Sequence, residues 1–110
     1  MSFGHYVDIP YAGDRFCAVL VARVLADHGI PYPAEANCPE EAPEWQPVAQ
    51  PRALDVVVFT RAGRPAHVGV CLGRGRFLHV EEGARSRIEY LSSPLHAPRI
   101  EGYYRYTGTP

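Results

Sequence analysis

The sequence contains no lysine, and all 11 of its basic residues are arginine. We attribute this to codon usage and give it no functional weight. With 12 acidic residues the net charge is −1, so the chain lacks the positive surplus expected of a protein that binds nucleic acid or an anionic membrane surface. It also lacks an apolar run of membrane-spanning length, and its first residues show no basic segment followed by an apolar stretch. These absences predict a soluble protein without a signal peptide of its own.

Cysteine is scarce, with three residues at Cys17, Cys38 and Cys71. Three thiols cannot all pair within one chain, so at least one is free or bonded elsewhere. Their irregular spacing matches neither a zinc ribbon nor a disulfide framework. We therefore expect no metal site built on these cysteines.

The 110 residues are enough for one domain with a single core, and the order of elements along residues 1–110 is simple. A loop and one helix precede an arm, at about residues 31–53, that holds six of the eleven prolines and is expected to be irregular, with Trp45 fixing it to the body. β-Branched and aromatic runs follow, separated by Gly, Pro and Arg-rich turns. They predict strands at 54–60, 67–72, 77–80, 87–91 and 102–106. The pattern predicts an α+β fold, one N-terminal helix packed on an antiparallel meander.

The predicted helix places Cys17 in its first turn. Asp14 is a favoured N-cap, and apolar side chains recur at helical spacing until Gly29 provides a C′ residue. Cys17 then lies near position N3, where unpaired backbone N–H groups and the helix dipole favour a thiolate. Taken alone, the helix is better explained with Cys17 as a small apolar residue at the top of the core stripe.

Two histidines on predicted strands could complete a site with Cys17. A two-residue turn at 74–75 would pair His79 with Val70 and place the His67 and His79 rings on opposite faces. A loop with an odd residue count, or an equivalent bulge, would pair His79 with Gly69 and leave it diagonal to His67. Only this second arrangement permits a working pair, with Gly69 expected to leave open space beside it. The remaining histidines are assigned to the surface or to helix and loop ends: His5, His28 and His96.

Five ordered segments resemble the NlpC/P60 family of cysteine peptidases, and most closely its small members encoded with bacteriophage tails. The segments are residues 11–14 (YAGD), 17–21 (CAVLV), 54–59 (LDVVVF), 67–73 (HVGVCLG) and 77–79 (FLH). In the family a polar residue, often histidine, follows the His-Val-Gly histidine by twelve residues, the interval that separates His67 from His79. The resemblance extends through the C-terminal GYYRY and implies a papain-like core.

The resemblance also implies roles for individual residues. Cys17 would be the nucleophile, His67 the general base, and His79 the group that orients the His67 ring. Tyr11 and the backbone N–H of Cys17 would bind the oxyanion. The substrate would be a peptidoglycan stem peptide, cut at the γ-D-glutamyl bond to a diamino acid, with no metal and no cofactor. Cys71, in mid-strand, and Cys38, in the arm, are not expected to be nucleophiles.

The same resemblance implies a location and partners for the chain, although three residues differ from the family pattern. The chain would work with other phage tail proteins at the tail tip of the virion, would be in the host cytoplasm during assembly, and would act on the cell wall. Phe16 replaces the usual Asp, Val19 replaces a Gly, and Leu54 stands where Gly is expected. A catalytically inactive assembly protein of a phage tail that keeps the fold is the alternative. Within enzymes, an amidase or acyltransferase on the same Cys–His core also remains open.

Overall fold

The computed structural model describes residues 2–33 and 42–108. In this part of the chain there is one α-helix, α1, at Phe16–Ala26, and there are 3-10 turns at Gly4–Tyr6 and Ala97–Arg99. The strands are β1 Trp45–Val48, β2 Val56–Arg61, β3 Arg64–Gly73, β4 Arg76–His79, β5 Arg87–Tyr90 and β6 Ile100–Tyr106. Because α1 packs on the antiparallel sheet, mainly against β3 and β4, the predicted α+β fold is confirmed.

The six strands form one antiparallel sheet in the order β1-β6-β2-β3-β4-β5. The predicted meander describes β2 to β5, in which each strand pairs with the next. β6 does not continue it: the chain crosses back from β5 to β2, and β6 pairs with β2 on the side away from β3. The crossing segment, residues 91–99, ends in the Ala97–Arg99 turn and carries His96 over the sheet.

Side chains alternate along the strands, so the sheet presents two apolar faces. One face joins α1 in the larger core through residues such as Val56, Val70 and Leu78, all fully buried. The other face carries a smaller cluster that includes Phe59 and Phe77. The rings of His67, His79 and His96 pack against this second cluster, so these polar side chains lie on an apolar surface.

The helix begins differently from the prediction. Asp14 is exposed and makes no capping hydrogen bond, and the residue that precedes the helix, Arg15, has left-handed backbone angles (φ +55°). This turn places the first helical N–H, that of Phe16, 3.2 Å from the hydroxyl oxygen of Tyr11, which accepts it. The Asp14 cap was therefore wrong, because a side chain from outside the turn takes the role, and Cys17 lies at the second helical position instead of the third.

The end of α1 follows the glycine rule. The helix itself ends at Ala26, and the turn beyond it is closed by hydrogen bonds from Gly29 N–H to Ala26 O (3.0 Å) and from Ile30 N–H to Leu25 O (2.9 Å). Gly29 has φ +78°, so the predicted C′ glycine is confirmed as the left-handed residue of a Schellman motif. Within the described residues, no helix is long and apolar enough to cross a membrane.

The proline-rich arm contains one strand that the sequence did not predict. Trp45–Val48 pairs with β6 at the edge of the sheet, a position at which Pro47 is tolerated. Trp45 is buried and packs against Tyr32 and Tyr106 with ring centroids 5.6 Å apart, so its predicted anchoring role is confirmed. Cys38 and the rest of residues 34–41 lie outside the described residues.

Candidate active site

Cys17 lies at the start of α1 beside an open cleft. The cleft has a volume of about 650 Å³, and its lining includes Tyr11, Asp14, Cys17, Pro65 and His67. A smaller lobe of about 90 Å³ shares Tyr11, Cys17 and His67 and adds the side chains of Arg61, Glu81 and Arg99. Cys17 is half-buried and lines both lobes. The predicted nucleophile and base therefore border the same space, although no hydrogen bond joins their side chains.

Backbone geometry at the start of the helix leaves one donor available. The Phe16 N–H is bonded to Tyr11, and the N–H groups of Ala18 and Val19 bond to Arg15 O at 3.0 and 3.2 Å. The Cys17 N–H has no acceptor among the described residues. Since this donor is attached to the residue that carries the thiol, it is placed to meet an oxygen of any group that the sulfur attacks.

Tyr11 is held next to this donor by the N-terminal segment. Its own N–H donates to Ala84 O (3.0 Å), and the neighbouring residue Ile9 exchanges hydrogen bonds with Ser86. Tyr11 Oη accepts the Phe16 N–H, and the rings of the two residues pack edge to face. The hydroxyl proton of Tyr11 remains for a second partner, and Tyr11 lines both lobes of the cleft.

His67 and His79 are brought together on one face of the sheet. His67 Nε2 and His79 Nδ1 are 2.8 Å apart, within hydrogen-bonding distance. Gly73 and Arg76 flank a two-residue turn, but a bulge between Cys71 and Gly73 shifts the register so that Cys71 pairs with Phe77 and Val70 with Leu78. This is the bulged arrangement that permits a working pair.

The expected open space at Gly69 is not found. A Cβ on Gly69 would lie 2.9 Å from the carbonyl oxygen of Leu78, 3.1 Å from the Phe77 ring and 3.3 Å from His79 Cβ. Glycine here allows β4 to approach β3 closely and brings the two imidazoles into contact. The prediction was wrong because β4 occupies the space that a side chain at Gly69 would take, which leaves no room there for substrate.

A carboxylate continues the chain of polar groups beyond His79. Glu89 Oε2 accepts a hydrogen bond from His79 Nε2 and lies 3.0 Å from His96 Nε2 and 3.0 Å from Arg87 Nε. Arg99 Nη2 lies 3.4 Å from His96 Nδ1, the other nitrogen of that ring. His79 and His96 are 1% and 3% exposed, so this network is enclosed by protein on the histidine side.

The prediction for His96 was wrong, and the sequence analysis did not identify Glu89. His96 was assigned to the surface or a loop end, but the crossing segment buries it against Phe59, Phe77 and His79. No local pattern predicts this, since it depends on the strand order. Glu89 could have been found: in the β4–β5 register it is opposite Phe77, on the same face as His79.

The ionisation of the network follows from burial and hydrogen bonding. Burial, and then the neighbouring His79, lower the pKa of His67 to about 3, so its ring is neutral near pH 7. Burial also lowers the pKa of His79 and outweighs the opposing effect of Glu89. Burial by itself raises the pKa of Glu89, but hydrogen bonds from His79, Arg87 and His96 lower it to about 2. Two neutral imidazoles therefore lie in line with one carboxylate.

These charges determine where each proton lies. An ionised Glu89 only accepts, so His79 carries its proton on Nε2 and leaves Nδ1 as an acceptor. His67 must then donate from Nε2 to His79 Nδ1. The remaining nitrogen of His67, Nδ1, holds a free lone pair, which is what a general base needs.

Other candidate groups are less suited to chemistry. Cys71 is buried in β3, and burial raises the pKa of its thiol, which keeps it protonated and inert. Among the described residues, possible metal ligands converge in one group, His79, Glu81, Glu89 and His96, whose ligand atoms lie within 4.8 Å of one another. Arg87 already bridges the two carboxylates, at 2.8 Å from Glu81 and 3.0 Å from Glu89, so we interpret the group as a hydrogen-bond network.

Three positions depart from the resemblance, and the structure shows the surroundings of each. Leu54 has φ +75°, the left-handed region in which glycine is favoured, which explains why glycine is expected there. Val19 is 41% exposed on the first turns of α1. Phe16, in place of the usual Asp, turns inward and is buried next to Tyr11. None of the three displaces Cys17, His67 or His79 from the site.

Solved structures with the same fold include three NlpC/P60 proteins. One is a protein of Staphylococcus aureus subsp. aureus Mu50 described as similar to a lipoprotein of the NLP/P60 family (TM-score 0.77, 21% identity, 96% of this chain and 39% of that chain). Another is an NlpC/P60 family protein from Bacillus cereus ATCC 10987 (TM-score 0.78, 20% identity, 96% of this chain and 38% of that chain). The third is the NlpC/p60 domain of the peptidoglycan hydrolase SagA (TM-score 0.65, 21% identity, 92% of this chain and 89% of that chain).

This chain spans less than two fifths of the first two proteins, and at such identities the likeness concerns the fold. A search of curated proteins finds no match. The family model described as NlpC/P60 family matches residues 11–105, which include Tyr11, Cys17, His67, His79 and all six strands except the last residue of β6. The chain therefore belongs to the NlpC/P60 family.

Proposed function

We propose that this protein is a cysteine peptidase that hydrolyses peptidoglycan stem peptides. The observation that carries the proposal is the pairing of His67 with His79 beside a half-buried Cys17 at a helix N-terminus. A neutral His67 with a free Nδ1 lone pair can accept the thiol proton as the sulfur attacks a carbonyl carbon. Membership of the NlpC/P60 family supports the same chemistry.

In the acylation step, the Cys17 S–H proton moves to His67 Nδ1, and the sulfur attacks the substrate carbonyl carbon. The carbonyl oxygen becomes an oxyanion, which the Cys17 N–H and the Tyr11 hydroxyl are placed to bind. As the tetrahedral intermediate collapses, the C–N bond breaks and His67 returns the proton to the leaving amine. A thioester remains on Cys17.

In the second step, water hydrolyses the thioester with His67 again acting as base. The water proton moves to His67 Nδ1, the hydroxyl adds to the carbonyl, and the C–S bond breaks. The thiolate recovers its proton from His67, which releases a carboxylic acid and restores the enzyme. His79 holds the His67 ring in place throughout both steps.

Hydrogen bonding between Cys17 and His67 forms when substrate is bound. In the described structure the two side chains border one cleft without that bond. Catalytic hydrogen bonds are commonly long in unliganded sites and shorten in the substrate complex. A peptide lying through both lobes would exclude water from the space between the sulfur and the imidazole.

For the bond cleaved, we propose the γ-D-glutamyl linkage to a diamino acid. The description of SagA, a protein of the same fold, as a peptidoglycan hydrolase supports the polymer. Side chains of both charges suit a peptide that carries carboxylates and an amine: Asp14, Arg15 and Glu82 line the larger lobe, and Arg61, Arg99, Glu81 and Glu82 the smaller. The resemblance to small phage-encoded members supports a place at a phage tail tip, with other tail proteins as partners and the cell wall as the site of action.

The test is digestion of defined muropeptides, analysed by mass spectrometry. The wild-type chain is expected to release products that end in D-glutamate, whereas Cys17→Ala releases none. Cys71→Ala, which removes a buried thiol outside the cleft, is the matched control and keeps activity when circular dichroism shows it folded. Cleavage at another bond would identify an amidase or related hydrolase. No cleavage of any muropeptide by the folded wild-type chain would contradict the proposal and favour an inactive assembly protein of the phage tail.

A further inference from the structure

We infer that Glu89 is a positioning residue of this site: it fixes the tautomer of His79 and, through His79, the tautomer of His67. The inference rests on the proposed function for its catalytic consequence, but its structural content stands separately. It extends the Cys17, His67 and His79 set by a carboxylate on β5, the next strand of the sheet. Glu89 is not placed to touch substrate, because it lies beyond His79 when viewed from the cleft.

The first argument is that a Cys–His–His set does not determine its own proton positions. Both nitrogens of a neutral imidazole can carry the proton, and the two rings can share a hydrogen bond in either direction. With the proton on His79 Nδ1, His79 would donate to His67 Nε2, and His67 would carry its own proton on Nδ1, its remaining nitrogen. Such a His67 could not accept the thiol proton.

The second argument is that Glu89 removes this ambiguity. Its Oε2 faces His79 Nε2 and can only accept, so the proton of His79 is held on Nε2 and its Nδ1 must accept from His67. One carboxylate oxygen thus determines the state of an imidazole two hydrogen bonds away. Burial of His79, at 1% exposure, prevents water from supplying a competing partner.

The third argument is that Glu89 is itself held in place by side chains from β5 and from the crossing segment. Arg87 on β5 donates to it, His96 on the crossing segment lies 3.0 Å from Oε2, and the His96 ring packs edge to face on Phe77. The other charged groups nearby are Glu81, which shares Arg87, and Arg99, which lies against His96. These contacts keep the carboxylate ionised and fix the oxygen that faces His79.

The decisive measurement is long-range ¹H–¹⁵N correlation NMR on uniformly ¹⁵N-labelled protein, which reports the protonated nitrogen of each histidine. In the wild-type chain near pH 7, His67 and His79 are expected in the Nε2–H form. In Glu89→Gln the amide can donate or accept, so both rings are expected to show mixed or Nδ1–H states. Glu101→Gln, which removes a carboxylate bonded to Tyr104 outside the network, is the matched control and leaves both tautomers unchanged.

Activity provides the second measurement. Glu89→Gln is expected to lower kcat on the muropeptide about 10- to 100-fold with little change in KM, a loss typical of residues that orient a reacting histidine. Unchanged tautomers in folded Glu89→Gln, or an Nδ1–H form of His79 in the wild-type chain, would overturn the inference. If Glu89→Gln does not fold, the wild-type tautomers decide. A wild-type chain with Nε2–H histidines but no muropeptide cleavage would refute the proposed function and leave the inference on Glu89 standing.

Discussion

Gly69 on β3 lies against His79 on β4 so closely that a side chain on Gly69 would contact the histidine. A Cβ there would be 3.3 Å from His79 Cβ and 2.9 Å from the Leu78 carbonyl oxygen. Because the second atom belongs to the backbone, it cannot move without displacing the strand. The contact between the two imidazoles therefore depends on a residue that takes no part in the chemistry.

Replacing Gly69 with Ala is expected to displace β4 and lengthen the His67–His79 hydrogen bond. Overpacking of this kind costs about 1–3 kcal/mol, so the free energy of unfolding should fall by that amount. Muropeptide cleavage should fall further than the loss of folded protein explains. Gly4→Ala is the control, since its Cβ would meet only Ser2 Oγ at 4.0 Å. Denaturant unfolding and cleavage rates measure both effects, and equal activity of the two variants would contradict the expectation.

Replacing Tyr11 with Phe removes the acceptor of the Phe16 N–H and the proposed oxyanion donor together. Loss of one oxyanion donor commonly lowers kcat about 100-fold, and we expect a decrease of that order with KM nearly unchanged. Tyr90→Phe, at a side chain that is 63% exposed on β5, should leave both constants unchanged. Steady-state kinetics on the muropeptide make the comparison. A rise in KM alone would assign Tyr11 to substrate binding instead.

Thiol alkylation should distinguish the two described cysteines. Cys17 is half-buried at a helix start, whereas Cys71 is 1% exposed and burial raises its pKa. Iodoacetamide is therefore expected to label Cys17 first, as read by peptide mapping. Faster labelling of Cys71 would contradict the assignment of the nucleophile.

Acid should destabilise the protein through His67. Its pKa is lowered from 6.5 to about 3 in the folded state, so between these values the unfolded chain binds the extra proton and stability falls as the pH falls. Between pH 6.5 and pH 5 the decrease is on the order of 2 kcal/mol. Glu89, with its pKa lowered to about 2, adds a loss of the same sign below pH 4.5.

The measurement is the free energy of unfolding by urea at pH 6.5 and pH 5. His67→Gln should show a smaller decrease than the wild-type chain, because its residue 67 does not titrate. His5→Gln, which removes an exposed histidine, should behave as the wild type. The same decrease in all three proteins would show that His67 is not the group responsible.

Asp55 should be a major contributor to stability. Its side chain is 2% exposed, accepts the Arg52 N–H at 2.6 Å and forms two hydrogen bonds with Arg105 at 2.8 and 2.9 Å. Asp55→Ala leaves these donors unpaired, and we expect a loss of about 3 kcal/mol in the free energy of unfolding. Asp8→Ala is the control, because its pair with Arg85 is exposed and 3.8 Å apart. Comparable unfolding curves for the two variants would contradict this role.

The sequence predicts the elements of this fold better than their connections. The apolar stripe of α1, the four strands of the meander and the β6 core of Gly102–Tyr106 all follow from local periodicity and turn residues. The return of β6 to β2 does not, because strand order depends on contacts between distant segments. β1 was missed since three prolines between residues 39 and 47 argue against a strand, and only the edge position makes Pro47 acceptable.

The site, too, is only partly predictable from the sequence. The interval of twelve residues between His67 and His79 is visible in the sequence, but their contact depends on a bulge before Gly73 that the Arg74–Gly75 turn alone would not suggest. The cap of α1 was misassigned because the preference of Asp14 for that position was overridden by the left-handed Arg15 and the Tyr11 hydroxyl. The burial of His96 required the whole chain, since the crossing segment places it.

The hydrogen bonds between residues 8–11 and residues 84–86 connect parts that are far apart in the chain. Tyr11, the last residue of the first segment, borders the cleft, and β5 with Arg87 and Glu89 begins directly after the second segment. A force that pulled the amino-terminal segment outward would therefore move the tyrosine and the carboxylate strand together. Tyr11 and Glu89 therefore both depend on the hydrogen bonds between residues 8–11 and 84–86, and breaking these bonds would displace both side chains.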